Sequence, residues 1–208
     1  MGLFVTFEGV EGSGKTTLIN RLYDEMTQLG YPVLKTREPG GNKISEQIRG
    51  IILDVENKEM DYRTEALLYA ASRRQHLVEV IRPALAAGKT VLCDRFLDSS
   101  LAYQGHARGL GIDKVYEINL YATEGILPDV TVYIDVDPME GLNRINNAHR
   151  AVDRLDLETA AFHAKVRAGY LLIAEKFPER IRIVDGNKPL ADIYSEIKKI
   201  VFARLAGR

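Results

Sequence analysis

The sequence predicts an α/β fold: a three-layer, doubly wound, parallel five-stranded sheet with a phosphate-binding loop (P-loop) and a short lid. Three observations lead there. Short runs rich in Val, Ile, Leu and aromatic residues alternate with stretches of helical spacing along the chain, the pattern of right-handed βαβ crossovers. The early runs are nearly continuous in apolar residues, as strands covered on both faces are. The first run leads directly into Gly9-Val10-Glu11-Gly12-Ser13-Gly14-Lys15-Thr16, which fits G-x-x-x-x-G-K-[ST].

Taken in order, strands are expected over Leu3–Glu8, Tyr31–Thr36, Thr90–Asp94, Val130–Asp135 and Ile181–Val184, each bounded by Gly, Pro, Asp or Lys. A helix should follow the phosphate loop, because Leu18, Ile19, Leu22 and Met26 fall on one face. Thr64–Ala87 has helical spacing through Leu67, Leu68, Ala71, Leu77, Val80, Ile81 and Leu85, and ends at Gly88. A last helix carries Leu190, Ile193, Tyr194, Ile197, Ile200, Val201 and Leu205. The Asn-rich piece Asn143–Arg150 is the least regular, so a lid is expected over about 143–155. A length of 208 residues suits one domain, 1–208, with that segment as a mobile insertion. There is no internal repeat or low-complexity stretch.

Composition narrows the function classes. With 28 Lys and Arg against 29 Asp and Glu, the formal charge is −1. That balance argues against a general nucleic-acid or anionic-membrane surface. No apolar run approaches the roughly 18–20 residues of a membrane span. The N-terminus lacks the basic region and cleavage site of a secretory signal. Met1-Gly2-Leu3-Phe4-Val5-Thr6 fits the short myristoylation pattern, but Gly2 leads into the first core strand, where an acyl chain would be out of place. The single Cys93 excludes an intrachain disulfide framework, suits a reducing cytoplasm and sits in an apolar run as a core residue. The four histidines have no ligand spacing, so zinc is not expected.

In an open parallel sheet, ligands gather at the carboxyl ends of the strands. Strand one ends in the phosphate loop, strand two in Thr36-Arg37-Glu38-Pro39-Gly40-Gly41, and strand three in Asp94-Arg95. Strand four ends near Asp135 and leads to Arg144, Arg150 and Arg154. Glycines let the loop backbone turn its N–H groups toward phosphate oxygens, and the helix start adds its positive dipole end. The nucleotide donor is expected on Gly9, Val10, Glu11, Gly12, Ser13, Gly14, Lys15, Thr16 and Thr17. Lys15 reaches the β/γ-phosphates, and Thr16 with Asp94 (directly or through water) is the candidate Mg²⁺ site. Arg95 can clamp two phosphate oxygens. Phosphoryl transfer needs in-line positioning and charge compensation, so Lys15, Arg95, Arg144, Arg150 and Arg154 are the catalytic candidates.

The segment Phe7-Glu8-Gly9 with Glu11-Gly12-Ser13-Gly14-Lys15-Thr16-Thr17, then Thr36-Arg37-Glu38-Pro39-Gly40-Gly41, then Asp94-Arg95-Phe96, then Ala102-Tyr103-Gln104-Gly105, closely resembles bacterial thymidylate kinases. The likeness covers nearly the whole chain, and the last three motifs are far more specific than the loop. The resemblance implies transfer of the γ-phosphoryl of MgATP to dTMP, giving dTDP and ADP. It also implies a cytoplasmic homodimer, for which a Leu/Ala-rich face such as Leu67–Leu85 could serve. By position, it places Tyr69 on the thymine face, Arg73 on the base edge, and Ser100 and Gln104 at its other edge. It puts Tyr103 beneath the sugar, and Arg37, Arg49 and Arg95 around the acceptor phosphate with Glu11 near the 3′-OH. Pro39 and Ser99 complete the acceptor set, and the Glu38–Pro39 bond is expected to be cis. The family supplies its catalytic arginine from either the phosphate loop or the lid. Val10, Glu11, Gly12 and Ser13 are not basic, which leaves the lid. Arg144 best fits the arginine that packs on adenine, and Asn187 and Lys188 lie where backbone would meet the adenine edge. Tyr69 stands where phenylalanine is more usual.

Two other readings fit the sequence less well. One is a nucleoside monophosphate kinase with another acceptor, such as a broader pyrimidine or guanylate enzyme; Arg73, Tyr103 and Gln104 discriminate, because a purine would need a longer pocket and different edge donors. A regulatory nucleotide switch would carry an N-K-x-D motif; Asn57-Lys58-Glu59-Met60 begins that way but lacks the Asp.

Overall fold

The computed structural model describes residues 2–147, 154–155 and 157–207, with backbone alone for 142 and 144–147. One sheet of five parallel strands has the order β2-β3-β1-β4-β5, with β1 (Phe4–Glu8), β2 (Val33–Arg37), β3 (Thr90–Asp94), β4 (Val130–Asp135) and β5 (Ile181–Asp185). Val5 pairs with Leu92 on one side and Val130 on the other, so β1 is central. The chain runs first to one side of β1 and then to the other. The strand order therefore reverses beside β1, where a crevice opens at the carboxyl ends.

The helices are α1 (Lys15–Gln28), α2 (Lys43–Leu53), α3 (Tyr62–His76), α4 (Arg82–Ala86), α5 (Leu97–Ser100), α6 (Ile112–Thr123), α7 (Pro138–Asn147), α8 (Ala160–Lys176) and α9 (Leu190–Ala206). The α1 stripe Leu18, Ile19, Leu22 and Met26 is buried against the sheet as its spacing requires. Asp61 caps α3 by accepting from the Arg63 and Thr64 N–H groups. That start fixes the helix rotation, so Glu65, Tyr69 and Arg73, spaced four apart, share one buried face.

Two expectations need correction. The first three strands were expected to be covered on both faces. β1 and β3 are, but β2 is an edge strand of alternating, partly exposed residues, with Lys35 reaching Asn20 at 2.6 Å. A charged side chain on such an edge discourages pairing with other chains. The helix expected over Thr64–Ala87 widens to a π turn over Leu77–Ile81 before α4. Pro83 has no N–H to give and crowds the carbonyl one turn back; a wider turn relieves both problems. A second wide stretch, Leu101–Ala107, continues α5 and carries Tyr103 and Gln104.

Candidate active site

The donor corner is made of backbone. Gly9, Gly12 and Gly14 all have positive φ, at 152°, 71° and 86°. At Gly12 the approach is close as well: an added Cβ would lie 2.1 Å from the Gly141 carbonyl oxygen. Lys15 is buried, and its Nζ donates to the Gly9 and Val10 carbonyls at 3.0 Å and to Ser13 Oγ at 3.1 Å. Burial and the nearby Arg95 push its ammonium down to about 8, against the pull of Asp94, Glu11 and Glu8. Thr16 Oγ1 donates to Asp94 Oδ2 at 3.0 Å. Paired hydroxyl and carboxylate oxygens are the donor chemistry that Mg²⁺ takes. Among the described residues no group of three or more His, Cys, Asp or Glu forms a metal cage.

Arg95 lies at the junction. It is a non-glycine residue at φ 68°, a left-handed conformation that persists only where the surroundings enforce it. Its N–H donates to the Phe7 carbonyl at 2.9 Å. Its guanidinium donates to Glu11 Oε1 and the Tyr170 hydroxyl, both at 3.1 Å, and to Ser99 Oγ at 3.2 Å. Burial alone would raise the Glu11 carboxyl, but Arg95, His163, Lys15 and Tyr103 outweigh it and hold Glu11 well below the usual carboxylate range. Tyr103 donates to Glu11 at 2.6 Å, and the Arg95 guanidinium lies 5.2 Å from the centre of its ring. Beneath them Glu8 accepts from the Phe96 N–H, Ser99 Oγ and the Tyr170 hydroxyl at 2.7, 2.5 and 2.8 Å. Burial and the like charge of Asp98 push Glu8 up to about 7.

On the acceptor side, Arg37 and Arg49 converge on one atom. Each donates to the Pro39 carbonyl, at 2.6 and 3.0 Å, after a Glu38–Pro39 bond that is cis. Arg73 is 1% exposed. Its Nε donates to Glu38 at 2.7 Å, its Nη1 to Ser100 Oγ at 3.0 Å and to Asn119, and its Nη2 to the Phe96 carbonyl at 3.0 Å. Glu38 also accepts from His76 Nδ1 at 2.9 Å. Gln104 donates to Glu65 at 2.8 Å.

One cavity of about 320 Å³ joins these groups, within the size of a small-molecule site. Its walls bring Glu11, Gly12, Lys15, Thr16 and Asp94 together with Arg37, Pro39, Arg49, Tyr69, Arg73, Arg95, Ser99, Ser100, Tyr103 and Gln104. Gly9, Val10, Ser13, Gly14 and Thr17 shape the loop without lining the cavity. The arginines of the expected lid are placed differently. Arg150 lies outside the described residues, and only the backbone of Arg144 is described, in α7. Arg154 does not line the cavity: its N–H donates to the Leu53 carbonyl and its Nε to the Ile52 carbonyl at 3.1 and 2.9 Å, and its guanidinium pairs with Glu65.

Several supporting residues have no motif to announce them. Tyr170 belongs to the apolar stripe of α8, yet its hydroxyl reaches Glu8 and Arg95. His163, on the same helix, lies 3.4 Å from Glu11. Asn119 reaches the site from α6; Glu8, from β1, does lie in the Phe7-Glu8-Gly9 segment, though nothing there assigned it a role. For Glu65 a signal was available: it stands four residues before Tyr69 and eight before Arg73, a polar residue on a face otherwise turned inward.

Comparison with known proteins agrees with this geometry. The family described as thymidylate kinase matches residues 7–197. A thymidylate kinase of Geobacillus thermodenitrificans is 57% identical over 207 residues, covering 99% of this chain and 92% of its own. Those of Bacillus pumilus and Clostridium novyi are 56% and 54% identical, covering 96% and 95% of this chain and 95% and 97% of theirs. Identity at this level over nearly the whole chain leaves a single assignment: the chain belongs to the thymidylate kinase family.

Proposed function

We propose that this protein transfers the γ-phosphoryl of ATP to dTMP, giving dTDP and ADP, on the route to dTTP for DNA synthesis. The observation that supports it most is the single cavity in which the Lys15–Thr16–Asp94 corner faces the Arg73–Gln104 edge. Lys15 exchanges its loop carbonyls for donor phosphate oxygens. Arg37, Arg49 and Arg95 hold the acceptor phosphate, and Tyr69 fixes the plane of the base. Glu11 stays ionised between Arg95 and Tyr103, and so holds both where the sugar and phosphate meet. Thr16 and Asp94 would hold Mg²⁺, directly or through water, and the ion would supply positive charge against the donor phosphates. The lid arginines Arg144, Arg150 and Arg154 are the candidates for the donor side, with Arg144 the one that family likeness puts at adenine.

The whole chain, 1–208, works as one domain in the cytoplasm. A second copy covers the groove between α3 and α6, where Leu67, Ala70, Ala71, Ile118 and Tyr121 form an apolar surface, with Tyr121 90% exposed. Among the described residues no helix is long and apolar enough to cross a membrane, and neither membrane nor nucleic acid is a partner. A coupled assay of ADP release with dTMP, dUMP, dCMP and dGMP tests the reading. Turnover is expected to be highest with dTMP and to fall about a thousandfold in Lys15→Ala, as loss of a charge-stabilising donor does. A preference for dGMP, or full turnover by the variant, would end it.

A further inference from the structure

We infer that Glu65 is a positioning residue that decides which pyrimidine the acceptor slot admits, by holding the Gln104 amide with its oxygen toward the cavity. The inference rests on the proposed reading of the cavity as a pyrimidine nucleotide site. Glu65 is fully buried and is the meeting point of three donors: Gln104 Nε2 at 2.8 Å, Arg108 at 3.2 Å, and Arg154. Burial alone would raise its carboxyl, but Arg108, Gln104 and Arg154 outweigh it and keep Glu65 below the ordinary value. An ionised carboxylate only accepts hydrogen bonds. The amide of Gln104 therefore has one permitted orientation, with nitrogen on Glu65 and oxygen on the opposite end.

Gln104 lines the cavity, so its Oε1 is the end left for a ligand. Across the slot Arg73 offers only donors. The pair thus presents one acceptor and one donor group to the base edge. Thymine and uracil carry the complement, an N3–H donor beside an O4 acceptor. Cytosine carries the reverse, an N3 acceptor beside an N4 amino group, and would leave buried groups facing their own kind. Unpaired buried polar groups are what make such sites selective. Without a carboxylate at 65, the Gln104 amide could turn over and meet cytosine N3 with its NH₂.

The test is kcat/KM for dTMP, dUMP and dCMP with the full chain. The variants are Glu65→Gln, Gln104→Met and the swap Glu65→Gln with Gln104→Glu. In Glu65→Gln the dTMP:dCMP ratio should fall about tenfold, the low end of the effect of one unmatched polar group, while dTMP:dUMP holds within about twofold. A role confined to folding would lower all three substrates together. The swap should recover the preference against dCMP, because an amide at 65 then donates to a carboxylate at 104 that again offers the cavity an acceptor. An unchanged dTMP:dCMP ratio in Glu65→Gln, or an equal loss on all three substrates, overturns the inference. If Glu65→Gln fails to fold, the charge-conserving swap decides: a folded swap with no preference for dTMP over dCMP also overturns it. If Gln104→Met leaves the ratio unchanged, the base-slot reading itself is wrong, and the inference falls with it.

Discussion

Around the loop Gly9–Thr16, three positive-φ glycines and the start of α1 offer backbone to an anion, whereas around Arg73 the polar groups are side chains held mainly by other side chains, with the Phe96 carbonyl as a backbone partner. The first arrangement needs no partner outside one short segment apart from room for its turns. The second draws Glu38 from the end of β2, Ser100 from α5 and Asn119 from α6 onto a single guanidinium. A backbone site should thus be broken by a change of shape. A side-chain network should be broken by a change of charge, and should lose fold stability along with affinity.

Gly12→Ala attacks the shape and carries the largest expected effect after that of Lys15→Ala. Its φ of 71° and a Cβ placed 2.1 Å from the Gly141 oxygen leave no room for even a methyl group. Turnover with ATP should fall at least about a hundredfold, as when a preorganised donor is lost. Calorimetric affinity for dTMP should stay within about twofold; an equal loss of both ligands would show that the two halves are not separable. Arg73→Ala attacks the charge. It should raise the dTMP KM about tenfold or more, since a hydrogen bond to a charged group contributes about 1.5–3 kcal/mol. It should also lower stability by about 3 kcal/mol in urea unfolding, because Glu38 keeps its burial and loses its ion partner. Normal stability with a raised KM would mean that the network is softer than drawn.

The smallest effect concerns pH. The folded pKa of Glu8, about 7, lies above the ordinary 4.5. Its stabilising contribution is therefore complete below 4.5 and lost as pH rises through 7, amounting to about 3 kcal/mol at most by linkage. Chemical unfolding from pH 4.5 to 7.5 should show wild type losing stability relative to Glu8→Gln. Parallel curves would place the Glu8 carboxylate among donors strong enough to keep it ionised.

The same division explains what the sequence made legible. The donor loop could be read directly, because one contiguous segment supplies its glycines, lysine and threonine and their roles allow few substitutes. The alternation of β1, β3 and β4 with helices was legible for the same local reason. Lys35 and Arg37, two residues apart in β2, already carried the mark of an edge strand that its apolar neighbours obscured. The acceptor wall was legible only through family likeness. Arg73 meets Asn119 across 46 residues, and Tyr170 meets Glu8 across 162. No periodicity or spacing encodes such pairs. Arg154 shows the remaining gap: its sequence position grouped it with Arg144 and Arg150, but it pairs with a buried carboxylate 89 residues earlier in the chain.

The opposed glycines 12 and 141 have a mechanical meaning. A Cβ on Gly141 would meet the Glu11 carbonyl at 2.3 Å, just as one on Gly12 would meet Gly141, so peptide planes of the phosphate loop and α7 rest directly on one another. No compressible side chain lies between them to absorb a displacement. A nucleotide that grips the loop thereby sets the seat of the first turns of α7, the helix whose backbone includes Arg144. Loop and helix bear directly on one another at these two glycines, so a shift of either displaces the other.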